Sequence, residues 1–203
     1  MESLNLSGNN RRSDGWLKSL LWPTVENAWD VNYLGQQGFW ICLLIAVATL
    51  LWSLFPGSPI VALLGLFSAL FYFLGGVGVR QGSWPAALVV SIAYGISLMT
   101  SLAAGSLPGL PSLIFGAILL TNLRAAFLAS EWKPAGPDED TPQRFNETLV
   151  DKLVDQLPAR LWPVLQIPFY VLGGIVILVT TLSLAAVVAH RFGLLPSIPS
   201  THP

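Results

Sequence analysis

Residues 38–80 read GFWICLLIAVATLLWSLFPGSPIVALLGLFSALFYFLGGVGVR, and no Asp, Glu, Lys or Arg occurs from residue 31 to residue 79. A helix needs roughly 20 apolar residues to cross about 30 Å of hydrocarbon, so this stretch holds two crossings. Phe55-Pro56-Gly57-Ser58-Pro59 breaks it in the middle. Residues 81–123 are equally free of charge and are broken at Ala104-Gly105-Ser106-Leu107-Pro108-Gly109-Leu110-Pro111; residues 161–190 hold one more crossing. The expectation is an all-α membrane protein, a five-helix transmembrane bundle of two helical hairpins plus a fifth helix. Its spans fall at about 38–55, 59–79, 84–104, 108–129 and 162–190. Continuous apolar runs of this kind are unlike the alternating ten-residue segments of a β-barrel.

Composition agrees. Of 203 residues 53% are apolar and 10% charged, against about 25% charged in soluble domains. The formal net charge of −1 gives no basic excess for nucleic acid. A single cysteine, Cys42, cannot form an internal disulfide.

Lys and Arg near span ends set orientation. Arg11, Arg12 and Lys18 precede the first span, Arg80 follows the second, and Arg124, Lys133, Arg144, Lys152 and Arg160 lie between the fourth and fifth. Only Arg191 falls on the other side. The N-terminus is therefore expected in the cytoplasm and the C-terminus outside, with a bacterial inner membrane as the expected location. Trp22-Pro23, Trp84-Pro85, Trp132-Lys133-Pro134 and Trp162-Pro163 fall on the cytoplasmic side, where indole rings favour the headgroup layer and proline suits a first helical turn. Some 37 mostly polar residues precede the first span, so it is expected to serve as an uncleaved anchor rather than a signal peptide.

The expected organisation is a cytoplasmic segment at 1–37, four spans over 38–129, a cytoplasmic linker and helix at 130–160, the fifth span at 161–191 and an external tail at 192–203. Neither cytoplasmic piece is long enough to bury a core of its own. In the first piece, Ser13 or Asp14 caps a short helix carrying Trp16, Leu17, Leu20 and Leu21, and a second turn starts at Thr24; both read as interfacial helices. In the second, Thr141-Pro142 starts a helix on which Phe145, Leu149, Leu153 and Leu157 recur every fourth residue, with Glu147, Asp151 and Asp155 on the other face and Pro158 as its end. An acidic polar face is poorly suited to an anionic leaflet. It packs on the protein's own cytoplasmic ends or docks a membrane or cytoplasmic protein partner with basic residues. No His or Cys accompanies these carboxylates, so a metal site is not expected there.

Inside the spans, charge is the default pointer to function. Arg124, near the cytoplasmic end of the fourth span, either snorkels to the headgroups or grips a phosphate or lipid headgroup in a cleft. His190, at the outer end of the fifth span, is a polar cap or, less favoured, an axial ligand to a pigment or haem. No cofactor is expected, and buried Cys42 reads as a small hydrophobe. Gly75, Gly76, Gly78, Ala93, Gly95, Ser97, Gly173 and Gly174 are expected at helix contacts. Thr180, Thr181 and Ser183 are candidates for hydrogen bonds between helices, and Pro168 for a kink in the fifth span. The two Pro-Gly turns are alike, but the likeness does not extend into the helices. Gly38-Phe39-Trp40 and Tyr94-Gly95-Ile96-Ser97, with five spans and a cytoplasmic N-terminus, faintly echo the Yip/Yif-type membrane proteins. The long loop between the fourth and fifth spans does not fit that family, and no residue role is carried over.

These features favour a non-catalytic accessory or scaffolding subunit that docks a partner through the 141–157 helix. The alternative is a small carrier or channel for a lipid-like or anionic solute, using Arg124 and the Gly-rich helix faces. An intramembrane enzyme ranks third, because the buried Ser and Thr have no His or Asp partner. Reporters fused to the two termini test the topology: the N-terminal one is expected to be active only in the cytoplasm and the C-terminal one only outside.

Overall fold

The computed structural model describes residues 23, 25, 28–131 and 156–194. They form five helices: α1 (Ala28–Leu54), α2 (Pro59–Arg80), α3 (Trp84–Ala103), α4 (Leu110–Ser130) and α5 (Leu157–Arg191). All five are long and apolar enough to cross a membrane.

The connections follow from local chemistry. The α2–α3 turn is the shortest. Gly82 takes φ +69°, a left-handed conformation open to glycine at little cost. Its N–H donates to Val79 O and the Ser83 N–H to Gly78 O, which closes α2 in a Schellman motif. The Ser83 Oγ then accepts from the Ala86 N–H and caps α3. Gly105, at φ +85°, ends α3 in the same way, with Gly105 N–H on Leu102 O and Ser106 N–H on Ser101 O. Pro59, Pro85, Pro111 and Pro158 each stand in the first turn of a helix, where the missing N–H costs nothing.

Two boundaries differ from the sequence expectation. α1 begins at Ala28 rather than at 38, because Asp30, Asn32, Gln36 and Gln37 continue the helix beyond the apolar run. Asp30 is thus part of a span-bearing helix and is buried. α5 begins at Leu157, and Pro158 opens it rather than closing a preceding helix. α5 also runs on through Pro163 and Pro168. Of the amphipathic helix expected over 141–157, residues 141–155 lie outside the described residues, as does the short helix expected at 13–22; of the turn expected from Thr24, Val25 is not helical, and Ala28 and Trp29 belong to α1.

α1, α2, α3 and α4 pack in a ring in chain order, α1 and α2 making the most extensive contact, and α5 seats in the groove between α2 and α3. The core is built on the last two turns of α2. A Cβ at Gly75 would strike Val90 of α3; at Gly76 it would come within 2.8 Å of Cys42 Cβ on α1; at Gly78 within 2.7 Å of Ala86 Cβ, with Trp162 of α5 equally close. Phe71 and Phe169 stack with centroids 5.5 Å apart and rings nearly parallel, and a Cβ at Gly173 would lie 2.9 Å from Val89 and 3.3 Å from Phe71. Cys42 is fully buried among these groups.

Gly95 and Gly174 behave otherwise: neither has a neighbouring group within 4 Å of a built Cβ, so they are not contact points. Thr180 and Ser183 donate to carbonyls of their own helix, at Val176 and Val179, instead of bridging helices. This back-bonding satisfies a hydroxyl in an apolar setting without a partner helix.

Gly78→Leu is expected to destabilise the bundle by about 2 kcal/mol or more, since it overpacks the contact with Trp162 and Ala86. Gly174→Leu should cost less than about 0.5 kcal/mol. Reversible unfolding in mixed detergent micelles checks both.

Candidate functional site

The helix ends divide the bundle. At one end lie the starts of α1, α3 and α5 and the ends of α2 and α4; at the other lie the 55–58 and 104–109 turns and the end of α5. The larger part of the polar chemistry gathers at the first end.

Its centre is the last turn of α2. The Arg80 guanidinium donates from one terminal nitrogen to Asn32 Oδ1 at 2.7 Å and to Asn32 O at 3.4 Å, pinning the first turns of α1 to the end of α2. Asn122 of α4 is 2% exposed. Its Nδ2 donates to Ile118 O at 3.0 Å, and its side chain rests on α1 where Gly38 leaves room: a Cβ at Gly38 would lie 2.7 Å from Asn122 Oδ1 and from Val79 Cγ1. Thr121 is buried beside it, its hydroxyl donating to Ala117 O. Between α1, α2 and α4 is a cavity of about 230 Å³, lined by Asn32, Arg80, Gln81 and Asn122 together with Val31, Val79, Ala125 and Ala126, and with Gly35 and Gly82 where the backbone comes close. Gln81 and Gly82 are exposed and form its rim.

Arg124 stands at the same end but does not line this cavity. It donates to the backbone carbonyl of Pro23 at 3.1 Å, and Pro23 is buried, so Arg124 ties the segment ahead of α1 to α4. Trp84 packs edge-on against Phe127 with centroids 5.9 Å apart, forming an aromatic pair at this level. Nearby, Tyr170 and Ser83 hydroxyls lie 3.4 Å apart.

The opposite end is simpler. Arg191 donates to the carbonyls of Ala103 at 2.8 Å and Leu102 at 3.4 Å, so a cation caps the C-terminus of α3 and complements its dipole. His190 is exposed at that end of α5, outside the bundle interior. Between the ends, Tyr94 donates to Ser112 O at 3.0 Å and Ser91 to Leu119 O at 3.4 Å, linking α3 to α4. Among the described residues, no three His, Cys, Asp or Glu side chains converge in a way that could hold a metal.

Of the residues singled out from sequence, Arg124 is placed beside the polar cluster and Leu157 lies half-buried at the start of α5. Phe145, Glu147, Leu149, Asp151, Leu153 and Asp155 lie outside the described residues. Sequence reading missed Arg80 as more than a topological marker, and it missed Asn32 and Asn122. A signal existed for Asn122, the one amide within the charge-free residues 81–123 that is not at their ends' Gln81. No family model, no curated protein and no solved structure matches this chain.

Arg124→Ala is expected to speed backbone amide exchange in the first turns of α1 by several fold. Residues 78–82 should be unaffected, because the Schellman turn there does not depend on Arg124. Hydrogen-exchange mass spectrometry in detergent reads both.

Proposed function

We propose that this chain is a non-catalytic integral membrane subunit that scaffolds or assists a partner protein. It sits with its N-terminus in the cytoplasm and its C-terminus outside, in a bacterial inner membrane or one of like polarity. The observation that supports this reading is the packing of the bundle interior. Phe39 and Cys42 of α1, Phe71 and Val77 of α2, Val90 of α3, Leu119 of α4 and Phe169 of α5 are all buried there. Three glycine contacts on α2 draw the helices together around these apolar groups. Among the described residues, this interior pairs no nucleophile with a base and lines no polar route across the bilayer. The work is then done at the surfaces and ends.

The docking element of this proposal is the acidic stretch 141–157, whose sequence pattern puts Phe145, Leu149, Leu153 and Leu157 forward as apolar anchors, the last of them at the start of α5, and Glu147, Asp151 and Asp155 forward to meet basic residues of the partner. Helix-in-groove binding uses anchors at this spacing, and complementary charge sets orientation and association rate. A carrier of lipid-like or anionic solutes would need polar groups continuing inward from Arg80. Among the described residues, buried Thr121 and Asn122 donate to carbonyls of their own helix and buried Phe39, Val77 and Cys42 are apolar, which favours the scaffold.

Purification from native membranes in mild detergent tests the proposal. The protein is expected to bring down a stoichiometric membrane or cytoplasmic partner, and Leu153→Asp to lose it while the bundle stays folded. A chain that runs alone and monomeric, or a partner that survives Leu153→Asp, would overturn it.

A further inference from the structure

We propose that the cavity between α1, α2 and α4 is a binding site for an anionic lipid headgroup, with its phosphate held by Arg80. The site goes beyond the docking role and does not depend on it.

The lining is suited to that ligand. Among the described residues that line it, Arg80 is the charged one, and Asn32, Gln81 and Asn122 add amide groups. A guanidinium presents five donors in a planar fork that matches phosphate oxygens. Asn32 takes hydrogen bonds from one terminal nitrogen of Arg80, which fixes the plane of the fork at the cavity wall. Asn32 is fixed in turn by its place in α1, so the wall that carries the cation is held by helices, with the α2–α3 turn at its rim. Glycine at 35 and 82 brings the backbone to the wall. A volume of about 230 Å³ lies below the roughly 300–1,000 Å³ of sites for drug-sized ligands, in keeping with a headgroup rather than a whole lipid.

The level of the site and its apolar half point to lipid as the source. Trp84 pairs with Phe127 at this end of the bundle, and indole rings settle at the headgroup layer. Val31, Val79, Ala125 and Ala126 form the apolar wall, and Val79, Ala125 and Ala126 are buried. A ligand with a charged head and an apolar stem meets both surfaces; free phosphate meets one. Asp30 is buried in the first turn of α1 and Arg124 is engaged with Pro23; neither lines the cavity.

Native mass spectrometry on the full chain in mild detergent tests the assignment, with phosphatidylglycerol or phosphatidylcholine added and inorganic phosphate as the free-anion probe. The wild type should retain phosphatidylglycerol about tenfold better than phosphatidylcholine, the effect of one charge-assisted contact. Arg80→Gln should abolish that preference. So should Ala126→Leu, which fills the cavity and keeps the cation. Arg124→Gln should keep the preference. Heat unfolding of each variant shows which remain folded, and either folded cavity variant suffices. Equal retention of the two lipids by the wild type would overturn the proposal, as would a preference that survives in a folded Arg80→Gln or Ala126→Leu variant. Stabilisation by millimolar inorganic phosphate without any lipid preference would overturn the lipid source.

Discussion

Apolar helices gain little from leaving water once hydrocarbon surrounds them, so their association depends on how closely their backbones can approach. In this protein that constraint is met on the last turns of α2. Gly75 faces Val90, Gly76 faces Cys42, and Gly78 faces Ala86 and Trp162. Three neighbours, α1, α3 and α5, thus close on one helix within four residues of its sequence. The pairing of α2 with α1 and α3 and the seating of α5 in the α2–α3 groove pass through this contact, and α4 joins the ring through α1 and α3. The stacked Phe71 and Phe169 rings add dispersion contact at the next level.

The same turns carry the polar end of the molecule. The α2 chain passes from Gly78 through Val79 to Arg80 and into the Schellman turn at Gly82, so the spacing that fixes the core also fixes the guanidinium. Gly76 sets α1 against α2, and Asn32 of α1 meets Arg80 only in that register. Packing and polar site are in this sense one arrangement: a change that separates α1 from α2 would open the cavity and break the Arg80–Asn32 bond together. The opposite end relies on a different device, the capping of α3 by Arg191, which also accounts for a basic residue on the side expected to have few.

The number of spans and their hairpin order were legible because charge is so costly in hydrocarbon that its absence over residues 31–79, 81–123 and 161–190 has few other readings. Helix ends were less legible. Hydropathy reports where hydrocarbon ends, whereas Asp30, Asn32, Gln36 and Gln37 stay helical beyond it. Pro158 suits both a helix stop and a helix start, and only the fold distinguishes them. Glycines could be noticed in the sequence but not assigned a face: Gly173 is buried against Val89 while its neighbour Gly174 is exposed. The polar site was the least legible part. Arg80 and Asn32 stand 48 residues apart, and their meeting depends on the register of two helices, which periodicity along one chain does not contain.

A double-mutant cycle at Gly75 and Val90 tests the glycine-centred packing most directly. Gly75→Ala should destabilise the bundle, since the added Cβ strikes Val90, and Val90→Ala should recover much of that loss by removing the obstructing methyls. The account predicts a coupling of about 1 kcal/mol or more in reversible unfolding, beyond the roughly 0.5 kcal/mol within which independent sites add. Additive effects of the two substitutions would contradict it.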